Sequence, residues 1–395
     1  MNEVLALYDT MSGRKEVFRP RHPPEVSMFV CGPTVQSGLH LGHARTYIFF
    51  DALARYLRHL GYSVFYLMNI TDIDERISQA AAREREDPLE YSRRMTSSMM
   101  KDLQSLRIDS VSRFEPVSRR VDEAIRQVEV LLEKGYAYRA DGWVYFDTTK
   151  YSRWGCLSHQ SKKDLSLRPL ELSPRKRNLS DFALWRPEVL VKGLWPSPWG
   201  VGSPGWHIQD TAVTIPILGS QYDLHGGAYE LVYPHHEAEI AEAESVTGTS
   251  PLVRHWVHTN LVKFEGLKMS KSLGNVVTIR QALKTYSADE IRFASLSVHY
   301  RKDSDLSGLA SARRRLYAMK RLAKQVATRT VPVSAPLAQF GRALNDDFDT
   351  PRALAWAERT LRSASKEADR DRAAAAAAPA IVGMKILGVN LIEGA

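Results

Sequence analysis

Residues 25–74 read EVSMFVCGPTVQSGLHLGHARTYIFFDALARYLRHLGYSVFYLMNITDID, and this stretch decides the fold. The apolar run Met28 to Val30 has strand character and closes on the Gly32-Pro33 turn. Leu53, Leu57 and Leu60 then recur on one face at helical spacing, which predicts a helix from Ala44 to Leu60 ended by Gly61. SVFYLMNIT follows as a second buried strand. Strand, glycine-containing turn, helix and strand make the βαβ unit that opens an α/β fold with a parallel, doubly wound sheet.

The rest of the composition agrees with a folded soluble chain. At 395 residues it is long enough for two or three domains, and 44% apolar with 25% charged residues excludes fibrous and disordered classes. No apolar run reaches the roughly 18 residues that would span a bilayer, and the N-terminus lacks a signal-peptide pattern, so a cytoplasmic protein without a membrane partner is expected. Cys31 and Cys156 are the only cysteines, so each thiol is a buried residue or a ligand rather than part of a disulfide framework. The net charge of +9 suits a polyanionic partner, nucleic acid or nucleotide, although charge spread through the chain also serves solubility.

Outward from the opening unit, residues 1–75 read as the first half of a catalytic core. Residues 76–200 read as an inserted domain of amphipathic helices such as VDEAIRQVEVLLEKGYAY, the β-like GWVYFDT, and a Pro- and Trp-rich ordered loop. Residues 201–262 supply the second half of the core, with strands expected at YDLHGG and WVHTNLVKF. Residues 263–305 hold a Ser- and Gly-containing loop, and 306–395 a charged helical domain whose RAAAAAAPA run reads as helix and linker.

Two short motifs bear on phosphate chemistry. His40, Gly42 and His43 sit where the first strand passes into the helix, and a helix N-terminus offers unpaired N–H groups and partial positive charge to phosphate. Two imidazoles there could stabilise the charge of an in-line displacement. A pair of capping or core histidines would look the same in sequence. GLKMSKSLGN, residues 266–275, adds Lys268 and Lys271 in a polar loop, where both ammonium groups can reach a pyrophosphate leaving group.

With both motifs in this order, the sequence resembles class I aminoacyl-tRNA synthetases, whose HIGH and KMSKS motifs match HLGH at 40–43 and KMSKS at 268–272. More closely it is similar to their cysteinyl group, through FVCGPTV, NITDID, PGWHI, DLHGG, YPHHEAEI and LKMSKSLGN. The resemblance implies a Rossmann-type core carrying an inserted domain, a stem-contact region at 263–305 and a C-terminal helical domain. It also implies joining of an amino acid carboxylate to ATP with Mg²⁺, giving an aminoacyl adenylate and pyrophosphate. His40, His43, Lys268 and Lys271 would be catalytic. Gly42, Gly226, Gly227, Met269 and Ser270 would join them in holding ATP.

His235 and Glu239 are four apart in an expected helix, a spacing that lets two groups grip one ion. In the resembling family a zinc ion is held by two cysteines, a histidine and a glutamate; Cys31, His235 and Glu239 match three of these, and Asp210 stands where the second cysteine would be. Carboxylate is an acceptable zinc ligand, so a metal could survive as a harder centre with less preference for a substrate thiol. A pocket using Asp210 directly on a polar substrate is the alternative. Thr71, Trp206 and His207 match the family's substrate-binding pattern, whereas the usual aspartate for the α-amine appears as Glu230. Asp210 and Glu230 together suggest a modified substrate.

HLGHA, WPSPWGVGSPGWH, EAESVTG, HYRKD and NDDFDTPRAL resemble the family's stand-alone ligase branch, which joins cysteine to the amine of glucosaminyl-inositol in mycothiol biosynthesis. The expectation is therefore a monomeric, tRNA-independent ligase passing the acyl group to a small-molecule amine, with His43 or His207 taking the proton. A short cysteinyl-tRNA synthetase charging tRNA is the alternative, and a silent nucleotide- or nucleic-acid-binding paralogue the third reading.

Overall fold

The computed structural model describes residues 4–166, 173–187, 195–264, 266–268, 275–326 and 337–392. A hairpin of β1 (Ala6–Asp9) and β2 (Arg14–Val17) leads into β3 (Glu25–Val30), α1 (Leu41–His59) and β4 (Ser63–Ile70). Next come α2 (Glu75–Glu84), α3 (Pro88–Ser105), β5 (Arg113–Pro116) and α4 (Val121–Glu133). The middle of the chain holds β6 (Ala137–Ala140), β7 (Trp143–Phe146), α5 (Lys162–Ser166), β8 (Phe182–Pro187) and β9 (Gly202–Pro204). It continues through α6 (Ile208–Leu218), β10 (Tyr222–Ala228), α7 (Glu237–Thr247), β11 (Val253–Thr259), β12 (Val262–Phe264) and β13 (Leu267–Lys268). The last part comprises α8 (Ile279–Leu283), α9 (Ala288–Leu296), β14 (Ser304–Asp305), α10 (Leu309–Val326), α11 (Ala338–Asn345), α12 (Thr350–Ala364) and α13 (Arg370–Ile386).

The central sheet is the expected parallel one, in the order β11-β10-β3-β4-β5, with every neighbouring pair parallel. β4 and β10 are both buried along most of their length, which is why β4 reads as a continuous rather than an alternating apolar run. β3 is the middle strand, and strand order reverses between it and β10. In such sheets the crevice beyond the carboxyl ends at that reversal is where ligands bind. Sequence expectation placed the core halves in 1–75 and 201–262. The sheet also takes β5 from within 76–200, while β9 pairs with β8 in the smaller antiparallel sheet β6-β7-β8-β9.

The first helix starts three residues before its expected position because its cap is built from histidines. His40 Nδ1 accepts the N–H of Gly42 at 3.1 Å, and His43 Nδ1 accepts the N–H of His40 at 3.3 Å. Imidazole is outside the Ser, Thr, Asp and Asn repertoire from which helix starts are read, so this cap carries no local signal.

α9 and the C-terminal helices are fastened to α1 by a buried ion pair. Arg292 donates to Asp51 at 2.6 Å, both side chains being fully buried, and further to the carbonyls of Leu106 and Leu387. Burial pushes the Asp51 carboxyl up, but Arg292 and Arg55 pull it back below the usual carboxylate range. A depressed folded pKa contributes stability that is complete above the unfolded value near 3.9 and fades as pH falls through the folded one. Arg292→Met should therefore cost up to about 3–5 kcal/mol in urea unfolding at pH 7, since it removes the buried one of the two guanidinium partners of Asp51 and leaves Arg55, and the deficit should shrink below about pH 4. A loss under about 1 kcal/mol would show that Asp51 finds other compensation.

Candidate active site

The cleft lies where the sheet topology puts it. β3 runs on into Cys31, Gly32 and Thr34, β10 into Glu230 and β11 into Asn260 and Leu261; these line a cavity of about 400 Å³ together with His40, Gly42, His43, Tyr47, Arg76 and Trp206. Gly32 is required at the turn, since a Cβ there would stand 1.8 Å from the carbonyl oxygen of Asn69.

His40 and His43 both cap α1 and face the cleft, their rings stacked with centroids 3.8 Å apart. The two readings of HLGH are thus one arrangement. Because Nδ1 of each ring accepts a backbone N–H, the neutral ring carries its proton on Nε2, which makes that atom a donor suited to phosphate oxygens.

Beneath Cys31 the floor is built from buried charge. Cys31 Sγ lies 3.6 Å from His235 Nε2, which is 3.4 Å from Asp210 Oδ2 and 3.2 Å from Glu239 Oε1. Cys31, Asp210 and His235 offer ligand atoms mutually within 4.8 Å. Zinc bonds of about 2.0–2.3 Å imply tetrahedral ligand-to-ligand edges of roughly 3.3–3.6 Å, close to these distances. Glu239 Oε1 is buried with no hydrogen-bond partner, as a group waiting on a cation would be. Burial, followed by Asp210 and Glu239, pushes the Cys31 thiol well up, and burial, followed by Asp210 and Glu242, does the same to Glu239. A dication would relieve that repulsion, so the donor set fits zinc. Glu239 groups instead with His225 and His236, whose Nε2 atoms face it at 3.6 Å and 3.9 Å, and it touches the first group only through His235.

His235 comes from a short turn, Val232–His236, kinked at the extended Tyr233, that leads into α7 and aims its ring at Cys31 while Glu239 follows one turn on. Trp206 stacks on this ring with centroids 4.3 Å apart and carries the Arg76 guanidinium on it. His207, expected to touch substrate or take a proton, instead lies buried behind His235, with the two Nδ1 atoms 2.8 Å apart. Burial, then His235, keeps its pKa well below the usual histidine range, so it is a neutral prop for His235.

Other expectations also shift. Gly226 and Gly227, expected to bring backbone to ATP, are buried and do not line the cleft; a Cβ would meet Phe50 at 2.3 Å in one and His236 at 2.8 Å in the other. Their smallness serves packing against α1 and the histidine cluster. Thr71 is buried, and its backbone bridges Thr34 beside the cleft. Glu230 is exposed at the rim, in the turn after β10. Met269, Ser270 and Lys271 lie outside the described residues, and for Lys268 only the backbone is described, paired with Lys263. Sequence reasoning passed over Asn69, Arg76, His225 and His236. A lone amide in the apolar run SVFYLMNI was the available signal for Asn69.

The fold is that of class I synthetases. The chain superposes with Mycobacterium tuberculosis methionyl-tRNA synthetase in complex with methionyl-adenylate at a TM-score of 0.62 and 16% identity, over 92% of this chain and 90% of that one. The Agrobacterium radiobacter K84 LeuRS ternary complex gives 0.66 and 12%, over 94% and 84%. Residues 17–313 match the model of the tRNA synthetases class I (C) catalytic domain. A cysteine-tRNA ligase of Thermoplasma volcanium is 44% identical over 304 residues, 77% of this chain and 67% of that one. Those of Pelotomaculum thermopropionicum and Alkalilimnicola ehrlichii are 40% and 39% identical, over 89% and 98% of this chain and 76% and 84% of theirs. The chain therefore belongs to the class I (C) tRNA synthetase family and is an adenylate-forming ligase.

Proposed function

We propose that this chain activates cysteine with ATP and Mg²⁺ and transfers the cysteinyl group to tRNA. The observation that carries the reading is the zinc-sized cluster of Cys31, Asp210 and His235, with Glu239 beside His235, under a cleft lined by the His40–His43 cap. When bound, zinc would supply a Lewis-acid seat for the side-chain sulfur of the substrate. The remaining chemistry is the chain's own. Trp206 and Cys31 shape the amino acid end, Glu230 offers a carboxylate to the α-amine, and the Nε2–H groups of His40 and His43 meet the phosphates. The substrate carboxylate oxygen attacks the α-phosphorus as pyrophosphate leaves. A hydroxyl of the acceptor then attacks the acyl carbon as AMP leaves. Lys268 and Lys271 would screen the pyrophosphate.

Two observations favour tRNA over the small amine expected from sequence. The relatives described above bear the name cysteine-tRNA ligase, and none is named for an amine acceptor. In addition, α10 carries six cations and no acid, and it sorts them. Arg313, Arg315 and Lys320 pair with Glu290, Glu358 and Asp289, whereas Arg314, Arg321 and Lys324 are exposed without an acidic partner among the described residues and flank Tyr317, which is 72% exposed. Unpaired cations beside an aromatic suit an RNA backbone. Cysteine should drive ATP–pyrophosphate exchange, and AMP release from the adenylate should accelerate with tRNA and weaken steeply with salt. Acceleration by glucosaminyl-inositol and not by tRNA would transfer the assignment to the amine ligase, and exchange with no amino acid would end both.

A further inference from the structure

The two oxygens of Asp210 have different partners, and the difference bears on how residue 210 can serve a metal. Oδ2 faces His235 Nε2 at 3.4 Å, within the ligand cluster, while Oδ1 accepts a hydrogen bond from Asn69 Nδ2 at 2.7 Å. Asn69 is fully buried at the end of β4, and its amide orientation is fixed from the other side, because its Oδ1 accepts the backbone N–H of Gly32 at 2.6 Å. A backbone N–H can only donate, so the amide nitrogen must lie toward Asp210. The same relay reaches the peptide next to Cys31, tying one ligand on β3's extension to another on α6. A cysteine at 210 would have a single donor atom. A carboxylate has two, and can chelate with both unless one is held away.

We propose that Asn69 is the positioning residue that makes Asp210 a one-oxygen ligand. Its amide N–H holds Oδ1, presents Oδ2 alone to the metal, and so keeps one coordination position available for the substrate's side chain. This rests on the metal reading of the cluster, and it assigns to Asn69 the work of adapting a carboxylate to a place suited to a single sulfur.

The test is a cycle of four chains: the parent, Asn69→Leu, Asp210→Cys and the double variant, each loaded with zinc or cobalt(II). Leucine removes both amide bonds at similar volume. With aspartate at 210, Asn69→Leu should speed zinc loss to a chelator by about 10–100-fold and weaken the visible absorption of the cobalt form as the carboxylate takes a second position. It should also raise the KM for the amino acid more than it lowers kcat. With cysteine at 210 the same substitution should alter zinc loss by less than about threefold, well below the second-shell effect, since a lone sulfur has no second atom to hold. Equal losses in both backgrounds would show a general structural role and overturn the proposal, as would no change in either. If the parent binds neither zinc nor cobalt, the metal reading itself fails, and that result is read from the parent alone.

Discussion

Asp210→Ala should leave the protein folded but without its metal. Zinc content measured on the purified chain should fall from near one per chain to near none, and cysteine-dependent ATP–pyrophosphate exchange should drop by at least about 100-fold. The substitution removes the oxygen facing His235 and leaves the Asn69 amide as a buried donor without its acceptor, a penalty of about 1–3 kcal/mol. Cys31 and His235 would be left with only Glu239, which stands beyond His235 and in the other histidine group, and would lose the carboxylate that completes their own cluster. Asp210→Cys should act in the opposite sense: a second thiolate softens the centre, tightens zinc, and widens discrimination between cysteine and serine. An Asp210→Ala chain that keeps its zinc would show that residue 210 faces the substrate rather than the ion. A parent that exchanges pyrophosphate with an amino acid other than cysteine would revive the modified substrate suggested by Asp210 and Glu230 in sequence.

His43→Ala should lower kcat for pyrophosphate exchange by roughly 10²–10³ while changing the KM for cysteine little, because a preorganised donor to developing charge is used in the transition state. The ring stands at the cleft wall with Nδ1 accepting in the cap, so its neutral form carries the donor proton on Nε2. The cap loss is a separate effect, about 1 kcal/mol of stability, and thermal unfolding measures it independently. His43→Asn keeps a short side chain able both to accept the His40 N–H and to donate, so it should recover part of the rate and most of the stability. A kcat for His43→Ala within tenfold of the parent would mean that His43 only caps the helix.

How much of this was legible beforehand follows from the range of each interaction. The βαβ opening, the parallel sheet and the helical C-terminal region are written in apolar periodicity, which depends on neighbours a few positions away. His235 and Glu239 were visible as a pair through their helical spacing, and Cys31 joined them only through the resemblance to the cysteinyl group. The position of His207 was not visible, since the Nδ1 contact with His235 joins residues 28 positions apart through a kinked turn that no local pattern announces. Gly226 and Gly227 were read as nucleotide contacts because glycine looks the same whether it makes room for a ligand or for Phe50.

By itself the sequence determined the βαβ opening, the two phosphate motifs and the aspartate at residue 210, all properties of short stretches. The tertiary structure alone decided which oxygen of Asp210 is held by Asn69 and which is turned to His235, which histidines pack against the cluster, and which cations of α10 lack an acidic partner among the described residues. Those outcomes depend on burial and on partners more than a hundred residues away, such as Asn69 and Asp210, whose meeting is set by how β4 and α6 pack and by nothing in either segment.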